Sequence, residues 1–204
     1  MFTFVIVLLI QYEPEDVILH NYMRMIYIAV ILGFLFIVVI YIYNKLVKNK
    51  NRMQEAWSMI DVFLKKRHDL IPNLVDIVKG YAIHEKTTLE KVTRYRSEAM
   101  QAGNRQTQIS SEIGLAKSLN NLLVSVENYP QLAANEQFLK LQQQITDIEN
   151  DLEMARRYYN GTVRENNICR ESFPSNIIAG MFNFPKGVFF ALEPADKTTP
   201  VISF

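Results

Sequence analysis

The side chains in this sequence most easily put to chemistry are His68, the His84–Glu85 pair and Cys169. His84–Glu85 starts like the zinc-protease helix motif, which needs a second histidine four residues on so that both imidazoles share a metal face. That position is Thr88, and the zinc reading fails. His68 and His84 stand far enough apart that on one continuous helix they point about 160° away from each other, so only a turn between them could bring them together. They read as solvated or helix-end histidines. A di-iron bundle needs two Glu-x-x-His pairs, and the remaining histidine, His20, precedes the long apolar run.

Other constellations do no better. The sequence holds no G-x-S-x-G elbow and no glycine-rich phosphate loop. A single cysteine excludes an intrachain disulfide and a cysteine-based structural zinc site, and beside Arg170 it reads as an ordinary helix residue. "KKR" at 65–67 reads as a solvated helix end, too small for a nucleic-acid footprint. "NGT" at 160–162 fits a glycosylation acceptor, but its mid-helix position argues against use. The sequence therefore predicts no catalytic, cofactor-binding or metal-binding residue, no cofactor, no small-molecule substrate and no nucleic-acid partner.

The elements around these residues explain more. With 22 basic against 21 acidic residues in 204, no bulk field attracts nucleic acid, and only seven Gly and seven Pro favour long helices over an all-β fold. Met25–Tyr43, "MIYIAVILGFLFIVVIYIY", carries no charge. As a helix it is about 28 Å long, which matches a hydrocarbon core of about 30 Å. It is expected to span the membrane once. Lys45, Lys48, Lys50 and Arg52 follow it, whereas Arg24 precedes it among Glu13, Glu15 and Asp16. The positive-inside rule then places the N-terminus outside a bacterial inner membrane and the C-terminal domain in the cytoplasm. "MFTFVIVLLI" is too short to span and lacks a signal peptide's basic start, so residues 1–24 are expected to be an extension, read either as a short interfacial segment or, the reading favoured, as lying ahead of a translation start at Met23 or Met25.

Beyond the span, periodicity predicts an all-α fold, a transmembrane helix leading into a long antiparallel four-helix bundle over 44–173. The first helix carries Met53, Ala56, Trp57, Ile60, Phe63 and Leu64 on one stripe, with an Asp61–Lys65 pair on its solvated face. Asp69 is expected to cap a second helix with Pro72 in its first turn, buried through Ile71, Leu74, Val75, Val78, Tyr81, Ala82, Leu89, Val92 and Ala99. Glu90 and Arg94 should pair, and Gly103 should end that helix. Ser110 or Ser111 is expected to cap the third helix, with Ile113, Ala116, Leu119, Leu123 and Val126 inward. Asn135 should cap the fourth. There Phe138, Leu141, Ile145, Ile148, Leu152, Ala155 and Tyr159 form a heptad seam, in a helix reaching about Ser172. A free coiled-coil rod is the rival arrangement.

Residues 174–204 change character, with clustered prolines and phenylalanines. Pro174–Ser175 should stop one helix and start a short one. The aromatic tail is expected to pack on the bundle or the membrane, with the last ten residues loosely held. Phe182, Phe184, Phe189 and Phe190 are the candidate interaction residues, docking a partner protein, a second copy or lipid; the tail folded onto its own bundle is the competing reading.

"AWSMIDVFLKKRHDLIPNLVDIVKGYAIHEKTTLEKVTRYR", "YYNGTVRENN", "FPSNIIAGMFNF" with its following "FF", and the ending "TPVISF" resemble the LemA family of bacterial membrane proteins, in order, from about residue 43 onward. The resemblance implies an N-terminal anchor and an antiparallel helical bundle, and it brings no established reaction, cofactor or catalytic residue. This sequence departs from it in the length ahead of the span and in a less acidic "FFALEP". The function expected is a non-catalytic, membrane-tethered scaffold that binds a protein partner, in envelope stress or membrane quality control, or that self-associates. The alternative is a membrane-bound hydrolase with an unrecognised active site.

Overall fold

The computed structural model describes residues 15–190; the apolar lead at 1–14 and the residues from 191 on, among them the last ten that were expected to be loosely held, lie outside the described residues. The fold is all-α, and among the described residues there is no strand. The first helix, α1, runs unbroken from Glu15 to Tyr81, 67 residues. Its apolar part has a mean hydropathy of 3.0, and only 6% of that window is buried inside the protein. A core helix would be covered; this one is bare, as a helix in contact with lipid must be.

The break expected at Asp69 does not exist. Pro72 lies inside α1, where its ring removes the hydrogen bond to the carbonyl of residue 68. That carbonyl is not orphaned: Arg96 donates its Nε to His68 O at 2.8 Å. A residue from the next helix thus makes the bond that proline cannot, and the helix continues. Asp69 caps nothing; it pairs with Lys65 at 2.9 Å, while Asp61 accepts instead from Gln108.

After a turn at Ile83–Glu85, helix α2 spans Lys86–Met100. Arg94 pairs with Glu98 at 3.8 Å rather than with Glu90. Helix α2 ends at Gln101, whose backbone N–H bonds to Ser97 O, so Gly103 is not its cap. Helix α3, Arg105–Ser125, is capped by Asn104, which accepts from Thr107 N, and not by Ser110 or Ser111. The two pack closely because Gly114 has no side chain: a Cβ there would meet the Tyr95 ring at 2.6 Å. A short α4, Pro130–Ala133, leads into α5, Glu136–Glu171, where Asn135 accepts from Gln137 N and Phe138 N as the sequence predicts.

Helix α5 returns antiparallel along α1. Arg67 meets Glu149, Trp57 meets Tyr159 and Met53 shares a cluster with Val163, so residue numbers fall on one helix as they rise on the other. The seam residues of α5 are buried, with Leu141 partly so. The α3 stripe is rotated from expectation: Leu115 and Leu122 are fully buried, while Ile113, Ala116 and Leu123 are only partly covered. Helix α6, Ser175–Met181, then folds against α1 beside the apolar span.

Candidate functional site

At the middle of the bundle sits a cluster of charge that the sequence reading placed in solvent. Arg67 is fully buried and donates to Glu112 of α3 and to Glu149 of α5. His68 Nε2 lies 2.9 Å from Glu112 Oε1, and neither atom has another hydrogen-bond partner. Arg156 approaches Glu149 at 4.0 Å and stacks over the Phe190 ring at 4.6 Å. His68 and the last residue of "KKR" are therefore core groups, a correction to the solvated helix end. His84 is exposed as expected.

Burial alone would raise the Glu112 carboxyl, but its hydrogen bond with His68 and the charge of Arg67 outweigh that and hold it below the ordinary carboxylate range. Burial pulls the Arg156 guanidinium downward, against the opposing pull of Glu149. These groups answer one another. With Arg96 reaching the His68 carbonyl, the cluster ties α1, α2, α3 and α5 together at one level, and a buried ion pair of this kind fixes register more than it adds stability. Among the described residues, no three His, Cys, Asp or Glu side chains come together to hold a metal ion.

The second constellation is a strap. Asn167 bonds both backbone groups of Gly187, accepting from its N–H at 2.8 Å and donating to its carbonyl at 3.0 Å. Asn160 treats Phe190 the same way, at 2.8 and 3.0 Å. Tyr159 donates to Val188 O at 2.7 Å and Arg170 to Phe184 O at 2.9 Å. The spacing is matched. Two helical turns separate the asparagines by about 10 Å, and three residues of extended chain cover about the same distance. Gly187 is needed for the approach, since a Cβ there would meet Met53 Sδ at 2.6 Å. The sequence reading missed these amides. Their signal was asparagine recurring at a seven-residue interval within a long helix, where asparagine is a poor former.

The strap divides the four candidate phenylalanines. Phe190 is buried against Trp57 and Tyr159, and Phe184 against Ile42 and Leu46. Phe182 and Phe189 remain exposed. Phe182 stacks edge-on with Tyr43 at 5.0 Å, which brings it to the last residue of the apolar run.

At this membrane-proximal end, Ile42 and Leu46 of α1 meet Cys169 of α5 and Ile178 and Ala179 of α6, with Val38 packed alongside. Cys169 is buried there. A cleft of about 500 Å³ opens beside this cluster, lined by Tyr41, Lys45 and Arg52 on one wall and by Ile168 and Phe173 on the other.

Comparison with known proteins finds relatives over most of the chain. The family-wide sequence model of the LemA family matches residues 56–204. Protein LemA of Metamycoplasma hominis is 28% identical over 139 residues, 67% of this chain and 63% of its own length. Magnetosome protein MamQ 2 of Paramagnetospirillum magneticum and Magnetosome protein MamQ of Magnetospirillum gryphiswaldense are each 21% identical over 187 residues, 79% of this chain and 68% of theirs. The chain thus spans less than two thirds of the first of these relatives.

Proposed function

The chain belongs to the LemA family, and on that premise we propose that it is a membrane-anchored, non-catalytic helical scaffold whose work is contact with a protein partner or a second copy. The observation that carries this reading is α1. One helix runs from the apolar segment to the far end of the bundle, so whatever binds the bundle is held at a fixed height from the bilayer. The polar groups inside the bundle support it too: Arg67, Glu112 and Glu149 are spent on one another, and the strap asparagines on backbone. The names of the relatives, LemA and MamQ, specify no reaction.

The basic flank of the span, Lys45 to Arg52, supports a bundle on the cytoplasmic side of a bacterial inner membrane. The process proposed is envelope stress or membrane-protein quality control. Exposed apolar side chains offer the contact: Met59 and Val62 on α1, Met154 and Tyr158 on α5, at matching heights of the antiparallel pair. A photo-crosslinking residue placed at each of the four in native membranes tests this. The same discrete protein adduct should arise from both helices. No protein adduct from any of the four would overturn the scaffold reading.

A further inference from the structure

The end of the bundle nearest the apolar run is built unlike the rest. Helix α6 packs through Ile178 and Ala179 on Ile42 and Leu46, so it lies level with the last turns of the 25–43 segment. Its other face is bare and apolar. Ile177 and Met181 stand four residues apart and are 54% and 73% exposed, and Phe173 in the turn just before α6 is 81% exposed. No charged side chain occurs between Glu171 and Lys186, and these two pair with each other at 2.9 Å, closing the segment at its polar edge.

Beside α6, the cleft between α1 and the end of α5 is graded along the helix axis. Tyr41 and Ile42 line its lower part and belong to the apolar run; Lys45, Asn49 and Arg52 follow on the same helix face. Lys45 and Arg52 face one carboxylate, Glu165, leaving the wall net positive. From Tyr41 to Arg52 is about 16 Å of helix, enough to cross the headgroup layer, which adds about 5–8 Å on each side of the hydrocarbon core.

We propose that this cleft binds the headgroup of an anionic phospholipid, with Phe173, in the turn before α6, and Ile177 and Met181 of α6 set into the adjoining acyl boundary. The inference rests on the 25–43 segment spanning the membrane. Continuity with that span selects lipid as the occupant, and the two cations select a negative headgroup. The α6 segment then acts as a second foot beside the span, holding the bundle at a set angle to the surface.

The full chain reconstituted in vesicles tests both halves. With Ile177→Trp, emission from the added tryptophan should be strongly quenched by phospholipids brominated on their chains, beyond any quenching of Trp57 in the parent. No added quenching would put α6 outside the bilayer, against protein or water, and overturn the foot. For the cleft, native mass spectrometry from micelles holding equal phosphatidylglycerol and phosphatidylcholine should show about a tenfold preference for the anionic lipid. K45Q/R52Q should reduce that preference to near parity, whereas K79Q/K86Q at the far end should leave it. Excess inorganic phosphate should not displace the lipid. Equal retention of both lipids, an unchanged preference in K45Q/R52Q, or displacement by free phosphate would each overturn the headgroup site. Failure of the span itself would show separately, as release of the parent protein by alkaline extraction.

Discussion

Arg67→Met is the sharpest perturbation of the bundle's interior. The change removes both guanidinium contacts and leaves Glu112, with no exposed surface, facing His68 alone. Removing one partner of a buried ion pair costs about 3–5 kcal/mol, because the remaining charge is stranded. A domain of this size shifts its melting midpoint by about 2–4 °C per kcal/mol, so the loss should be about 6–20 °C. Far-UV circular dichroism of the full chain in nanodiscs measures it. Arg67→Met/Glu112→Leu removes both charges and should recover most of the loss, since an apolar pair of similar size is often neutral or stabilising there. Acid adds a second check. Folding holds the Glu112 carboxyl below its ordinary range, so its contribution is complete above about pH 4.3, the unfolded value, and is lost as pH falls through the lower folded one. Glu112→Leu should lose that part of the acid slope. An Arg67→Met protein that melts like its parent, or a double variant as damaged as the single, would refute the reasoning.

Three further outcomes are expected. Trp57→Ala should destabilise the bundle by about 3–5 kcal/mol, because the indole is buried against Tyr159 and Phe190 and under the Arg105 guanidinium; chemical denaturation in detergent measures this. Asn167→Ala should strand the Gly187 N–H and carbonyl at about 1–3 kcal/mol each and release the strap, seen as faster amide exchange at Gly187 to Phe190 while the heptad seam stays protected. A reporter active only in the cytoplasm should work when fused after Phe204; activity only from an exported-side reporter would reverse the proposed orientation.

Much of this architecture was legible because it rests on one-dimensional patterns. The uncharged 25–43 run, the heptad seam of α5 and the Asn135 cap each depend on spacing along a single helix. What the sequence hid depends on a partner from elsewhere in the chain. Pro72 reads as a helix start until Arg96 supplies the missing bond to His68 O. Arg67 and His68 read as solvated until Glu112, 45 residues on, is seen to neutralise them. Helix α3 offers apolar residues at 113, 115, 116, 119, 122 and 123, two overlapping stripes, and only the faces of α1 and α2 decide between them. The tail phenylalanines divide for the same reason: Asn160 and Asn167 fix where the strap lies, and that fixes which rings turn inward.

The account depends most on α1 being one rigid helix from the membrane to the far end of the bundle. Spin labels at Lys48→Cys and Asp76→Cys, both exposed positions, read this directly by pulsed electron resonance, with Cys169 too buried to take label. An unbroken helix places the two backbones about 42 Å apart, and the distribution should be narrow. A broad distribution, or a distance below about 30 Å, would mean that the chain bends or breaks between the two labels and that the bundle is not held at a fixed height.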